Sequence, residues 1–217
     1  MKFKAVIFDL DGTLIDSEQH WVVAEQQFLG KHNITPKPGY VALFHGRSMR
    51  EVVTMLKEEH NLVATIEQLL ADKTESSDAI YTTMSLPIAG ANKLLKQLHN
   101  AQARMAIASG STLPRIQTIV DRFGWQPYFE LLASVDDVDY RGKPDPAVFC
   151  YAVEKMNLKP EDCVVVEDSV NGVVAAKGAN ITCIALTKQG WSDGDYSAAD
   201  IQVPSLEAPE LYSYLGL

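Results

Sequence analysis

Two carboxylates stand two residues apart near the start of the chain, in Lys4-Ala-Val-Ile-Phe-Asp9-Leu-Asp11-Gly12-Thr13-Leu14. Along an extended segment that spacing sends both side chains to the same side. Like charges so close repel, unless a cation lies between them or one holds a proton. Gly12 allows the backbone to turn tightly, and Thr13 adds a hydroxyl. The chemistry this turn can support is metal-assisted. Hard carboxylate oxygens suit Mg²⁺, one aspartate can attack an electrophile, and the other can carry a proton.

Three further groups complete a kit for phosphoryl transfer. They are Ser109 in Ser109-Gly110-Ser111, Lys143 in Gly-Lys-Pro-Asp-Pro, and Glu167-Asp168-Ser169. A lysine and a hydroxyl can hold phosphoryl oxygens, and the acidic pair can bind a hard cation. Each group alone has a plainer reading. Asp9 to Gly12 can be a solvated turn, Ser109 a turn residue, Lys143 the approach to a helix that has Pro146 in its first turn, and Glu167 to Ser169 a helix cap. Their joint placement argues for one site.

The elements that must position them follow from periodicity. Ala5–Phe8, Arg104–Ala108, Phe129–Ala133, Cys163–Val166 and Ile181–Leu186 are short apolar runs that read as strands, with Ile201–Val203 as an edge strand. Helical patterns alternate with them: Ala91, Leu94, Leu95 and Leu98, then Ile116, Ile119, Val120 and Phe123 stopped by Gly124, then the segments around Val148 and Val173. Apolar strands alternating with helices predict a parallel α/β sheet covered on both faces, a Rossmann-like arrangement. Ligands of such sheets bind at the carboxyl ends of the strands, where all four groups fall. From Asp16 to about Met84 the pattern is helical only, with a break at Pro36-Lys-Pro38-Gly39. Asp16 and Ser17 are expected to cap its first helix, and Tyr81 falls in its last apolar stripe. The domain reading is therefore a core of 1–15 and 86–217 with an inserted α-helical cap, 16–85.

The 217 residues can bury a substantial core, and 47% apolar with 22% charged residues describe an ordinary globular chain. No apolar run approaches the ~20 residues of a membrane span, and no leader pattern precedes the first strand, so a cytoplasmic protein without membrane contact is expected. Three cysteines without zinc spacing, Cys150, Cys163 and Cys183, are expected as buried free thiols. The formal charge of −9, from 28 acidic and 19 basic residues, disfavours nucleic acid as a partner. It also means that an anionic substrate needs local cations.

The four motifs, Asp9-Leu-Asp11-Gly12-Thr13, Ser109, Lys143 and Glu167-Asp168-Ser169, together resemble the haloacid dehalogenase superfamily in its phosphatase and β-phosphoglucomutase-like branch, over essentially the full length. The resemblance implies that Asp9 is the nucleophile and becomes an aspartyl phosphate. Asp11 would donate a proton to the leaving oxygen and later take one from water. Thr13, Ser109, Gly110 and Lys143 would bind the phosphoryl group. Asp9, the main chain of Asp11 and Asp168 would hold Mg²⁺, with Glu167 bound through water. A dehalogenase proper attacks carbon and would not need the second aspartate as an acid, so Asp11 argues for phosphorus.

In that family the cap chooses the substrate. Asp16-Ser17-Glu18-Gln-His20-Trp21 resembles the opening of sugar-phosphate phosphatase caps. The mutases carry a histidine where Trp21 stands, and His20 lies about 100° away on a helix. Ser17, Glu18, Arg47 and Arg50 are the candidate cap contacts to substrate, with His45 beside them. Asp136-Asp137-x-Asp139 reads as a solvated loop. The expected function is a Mg²⁺-dependent phosphatase acting on a small phosphorylated metabolite, a sugar or polyol phosphate, as a monomer or else a dimer. The alternatives are a sugar-phosphate mutase sharing the phosphoenzyme and a non-catalytic protein that binds a phosphometabolite. Linkers near Asp16 and Leu86 are the expected hinges of a closing cap.

Overall fold

The computed structural model describes residues 2–35, 44, 47–187 and 194–217. The break at Pro36–Gly39 and the loop positions His45 and Gly46 lie outside the described residues. Six strands, β1 (Ala5–Phe8), β2 (Arg104–Ala108), β3 (Leu131–Ala133), β4 (Cys163–Glu167), β5 (Thr182–Leu186) and β6 (Ile201–Val203), form one sheet. Their order is β3-β2-β1-β4-β5-β6, and every pairing is parallel. Neighbouring β2 and β4 leave β1 in opposite directions across the sheet, so the carboxyl end of β1 is the switch point where such sheets open a crevice.

Alternation along each strand divides the core into two layers. Val6, Phe8, Met105, Ile107, Val164 and Val166 face one layer. It is closed by α4 (Ala91–Asn100), α5 (Leu113–Phe123) and α8 (Pro209–Leu215). Ala5, Ile7, Ala106, Ala108, Val165 and Cys183 face the other, against α6 (Ala147–Lys155) and α7 (Val170–Gly178). The alanines on that second face leave room for Phe149, which is fully buried. Each fully buried Val, Ile or Leu stabilises the sheet by about 1.5–3 kcal/mol.

Between β1 and α4 lie α1 (Glu18–Lys31), α2 (Met49–His60), α3 (Ile66–Ala79) and a π-helical turn, Ile80–Met84. They share a separate apolar cluster of Phe28, Leu29, Val52, Val53, Leu56 and Leu69. Capping boxes at Ser48/Glu51 and Thr65/Gln68 start α2 and α3, each contributing about 0.5–2 kcal/mol. The two segments that join this cluster to the sheet run side by side. Asp16 donates its N–H to the Leu86 carbonyl at 3.0 Å, and Leu86 donates its N–H to Asp16 Oδ1 at 2.6 Å.

Several local expectations need correction. Ser17 occupies the N-cap position of α1 but makes no side-chain cap bond. Strand β3 begins at Leu131, two residues later than its apolar run, and β5 begins one residue later, at Thr182. Cys150 is exposed on α6, whereas Cys163 and Cys183 are buried. The acidic run after β3 is not merely solvated. Asp137 caps the 3₁₀ turn Val135–Val138 from Ser134, and Asp136 accepts the N–H of Leu113 at 2.8 Å.

Candidate active site

Asp9 follows β1, Ser109 follows β2, and Glu167 ends β4 with Asp168 just beyond. The parallel register that pairs Phe8 with Ile107 and with Val166 sets these residues at one edge of the sheet. Lys143 reaches the same place from the loop before α6. Its ammonium is fully buried and donates to Asp9 Oδ1 and to Glu167 Oε1, the latter at 2.6 Å. Glu167 is further fixed by Ser169, whose N–H and hydroxyl both reach Oε2, at 2.7 and 2.9 Å.

The carboxyl of Asp168 lies over the turn after β1. Thr13 donates to its Oδ1 at 3.1 Å, and Gly12, at φ +82°, leaves the space for it. A Cβ on Gly12 would stand 2.1 Å from Asp168 Oδ2, so no larger residue fits.

Asp11 is clasped by three hydroxyls. Ser17 donates to Oδ1 at 2.7 Å, Tyr81 donates to Oδ1 at 2.9 Å, and Ser111 donates to Oδ2 at 2.9 Å. Tyr81 and Ser111 also touch each other, at 2.7 Å. Ser109 accepts the Ser111 N–H on its hydroxyl at 3.0 Å, so it is both a turn residue and part of the site wall.

Five carboxylates, Asp9, Asp11, Glu18, Glu167 and Asp168, thus gather around a single buried ammonium. Burial pushes Asp9 up to about 7 against the pull of Lys143, with Glu167 and Asp11 adding to the rise. Burial, then the neighbouring acids, raise Asp168 and Glu18 well above the carboxylate range. Burial alone would lower Lys143, but Asp9 and Glu167 outweigh it and hold the ammonium protonated. Among the described residues no group of three or more His, Cys, Asp or Glu is arranged to hold a metal. The donor chemistry nonetheless fits a divalent cation, since hard oxygens outnumber the local positive charge.

A cavity of about 290 Å³ opens from Asp9 and Asp11 towards α1–α3. Glu18, Arg47, Arg50 and Gly110 line it. Arg50 also pairs with Glu67 at 3.9 Å and lies 5.2 Å from the Tyr140 ring. Ser17, Thr13 and Lys143 do not reach its wall. They hold the groups that do.

Among the lining residues that escaped the sequence reading in this role are Glu25, Lys73, Tyr81 and Arg115. Lys73 on α3 donates to Glu25 on α1, and both are buried. Arg115 on α5 reaches across to Ser77 Oγ at 2.8 Å and Asp78 Oδ1 at 3.2 Å, stacked 5.0 Å from the Tyr81 ring. The helices of the insert are also tied to the core beside Lys143. Ser48 donates to the Tyr140 carbonyl at 2.7 Å, and the Gly142 N–H donates to both Glu51 oxygens at 3.1 Å. Arginine within an otherwise apolar helical stripe was the one available signal for Arg115. Nothing in the spacing marked Tyr81 as more than core.

The family model of the haloacid dehalogenase-like hydrolases matches residues 6–186. The chain belongs to that family. It is 29% identical over 190 residues to validoxylamine A 7'-phosphate phosphatase of Streptomyces hygroscopicus subsp. limoneus, covering 85% of this chain and 86% of the relative. It is also 29% identical over 195 residues to the phosphorylated carbohydrates phosphatase of Thermotoga maritima, covering 88% of each. In structure it resembles CbbY from Rhodobacter sphaeroides, solved in complex with phosphate, with a TM-score of 0.81 and 25% identity over 94% of this chain and 95% of that one. The chain is a phosphoric monoester hydrolase of this haloacid dehalogenase-like family. Phosphatases of the family generally use a divalent metal. Among the described residues no helix is long and apolar enough to cross a membrane.

Proposed function

We propose that this chain is a Mg²⁺-dependent phosphatase of a small sugar or polyol monophosphate, working through an aspartyl phosphate on Asp9. The observation that carries the reading is the asymmetry of the two aspartates. Asp9 is paired with the buried ammonium of Lys143, while Asp11 is held by hydroxyls alone. In the first half-reaction an Asp9 oxygen bonds to phosphorus and the ester P–O bond breaks. Asp11 gives its proton to the departing oxygen, which leaves as an alcohol. In the second, water attacks the acyl phosphate, Asp11 takes the water's proton, and Asp9 is released with inorganic phosphate. Lys143 orients Asp9, and Ser109 with Gly110 receives the phosphoryl oxygens. Asp9, the main-chain carbonyl of Asp11 and Asp168 would hold Mg²⁺, which when bound supplies positive charge against the phosphoryl oxygens. Glu167, engaged by Lys143 and Ser169, would contribute through water.

Residues 16–85 act in this reading as a cap. Its contacts through Ser48 and Glu51 bring the cavity over the site, and Arg47 and Arg50 would meet the far end of the substrate. The Glu25–Lys73 pair favours a phosphatase over a mutase. A mutase must seat a bisphosphate in either orientation, and so needs a second anion site. Three cations of the cavity wall are already paired, Lys73 with Glu25, Arg115 with Asp78 and Arg50 with Glu67. A neutral hydroxylated tail, which both accepts and donates hydrogen bonds, suits such a wall better than a second phosphate. The relative named as a phosphorylated carbohydrates phosphatase supports the same substrate class. We also read the enzyme as cytoplasmic, a monomer or else a dimer, with neither nucleic acid nor membrane as a partner.

The test is inorganic phosphate release from a panel of hexose, pentose and polyol monophosphates, with and without Mg²⁺. Release supports the reading. Interconversion of 1- and 6-phosphates that needs a bisphosphate primer overturns it in favour of the mutase. Ligand binding without turnover of any ester overturns it in favour of a binder.

A further inference from the structure

Tyr81 lies in the π-helical turn Ile80–Met84, on the second segment that joins the insert to the sheet. It is 1% exposed, among the largest fully buried side chains. A buried phenol needs a partner for its hydroxyl, and this one points at Asp11 Oδ1 at 2.9 Å and Ser111 Oγ at 2.7 Å. Both burial and the Asp11 charge raise its pKa, so the phenol keeps its hydrogen. Ser111 closes the ring on Asp11 Oδ2. The carboxyl is therefore fixed at both oxygens, and its plane cannot turn without breaking one of these contacts.

The ring position of Tyr81 is itself over-determined. Trp21 packs on it edge-on with centroids 6.2 Å apart, Arg115 lies 5.0 Å from its centroid, and Arg122 donates to its main-chain carbonyl. A side chain held this firmly serves to place another group. The group it touches is the one assigned to proton transfer above.

We propose that Tyr81 is a positioning residue for Asp11, aiming its proton at the leaving oxygen. This rests on the phosphatase reading. As the ester P–O bond breaks, the Asp11 proton passes to the departing alkoxide and Asp11 remains as a carboxylate. A carboxyl free to rotate delivers that proton less often, and positioned acids contribute about 10²–10⁴-fold to such steps. An ester whose leaving group is stable as an anion needs the proton less.

The test compares an alkyl ester, a polyol phosphate, with p-nitrophenyl phosphate in wild type, Tyr81→Phe and Ser111→Ala. Tyr81→Phe keeps the ring and its packing. Ser111→Ala removes the companion contact on the other oxygen, Asp11 Oδ2, without touching the aromatic. The expected result is a loss in kcat at least tenfold greater for the alkyl ester than for the aryl ester in both variants, with KM changed less than kcat. Equal losses for the two esters, or no loss, overturn the proposal while leaving the phosphatase reading intact. Failure of the wild type to turn over either ester overturns both.

Discussion

Lys143 and Glu167 form an ion pair, Nζ to Oε1 at 2.6 Å, with neither side chain more than 1% exposed. Together with the Asp9 contact it sets one cation against two acids in the interior. Such a cluster is costly to break from one side, because the partners left behind stay buried and charged. Lys143→Met is expected to abolish phosphate release and to lower unfolding stability by about 3–5 kcal/mol, measured by urea titration. A variant of unchanged stability would contradict the burial and pairing described for this lysine.

The contact between Gly142 and the insert makes a second prediction. Gly142 has ordinary negative-φ backbone, so alanine brings no strain of its own, but its Cβ would stand 2.3 Å from Ser48 N and 2.4 Å from Glu51 Oε2. Gly142→Ala is therefore expected to keep the insert from seating beside Lys143. Phosphate release should fall more than tenfold while the melting temperature changes little. Wild-type turnover would show that this contact is dispensable.

Glu25 neutralises Lys73 in the cavity wall. Glu25→Gln should lower stability by a few kcal/mol, since it strips a buried lysine of its partner. It should also shift preference towards bisphosphates, raising their kcat/KM relative to the matching monophosphate by tenfold or more. An unchanged ratio would remove the argument that this pair selects a neutral tail.

Two of these predictions, on Gly142 and on Glu25, concern contacts that the sequence did not disclose, for a common physical reason. Periodicity identifies an element and the face it buries. It says nothing about which residue meets it 48 positions away, as in Lys73–Glu25; Lys143 could be set beside Asp9 only because the motifs together resemble a known family. The strand ends were legible because apolar runs stop where polar chemistry begins, and so Asp9, Ser109 and Asp168 could be placed at one edge. Tyr81 was hidden because a tyrosine in an apolar stripe reads as core, and its ring is core. Only its hydroxyl carries the chemistry. Ser17 was expected to cap α1 by accepting a main-chain N–H, but its own backbone is helical (φ −65°, ψ −26°) rather than extended, and its hydroxyl donates to Asp11 instead.

The cysteines give a prediction with a sign in pH. The thiolate is the reactive form, and burial pushes Cys163 up to about 11 and raises Cys183 further. At pH 8 native protein should take up one equivalent of iodoacetamide, on the exposed Cys150. Labelling of the other two should require denaturant, or a pH approaching the raised value. Peptide mapping that finds Cys163 or Cys183 modified at pH 8 in folded protein would contradict their burial.

The central claim is that Asp9 attacks phosphorus. It is tested most directly by inorganic phosphate release from a polyol monophosphate in the presence of Mg²⁺, comparing wild type with Asp9→Asn. The account predicts turnover by the wild type and loss of at least a thousandfold in the variant, which should still bind inorganic phosphate in a thermal-shift assay. Turnover by Asp9→Asn within tenfold of wild type would contradict it.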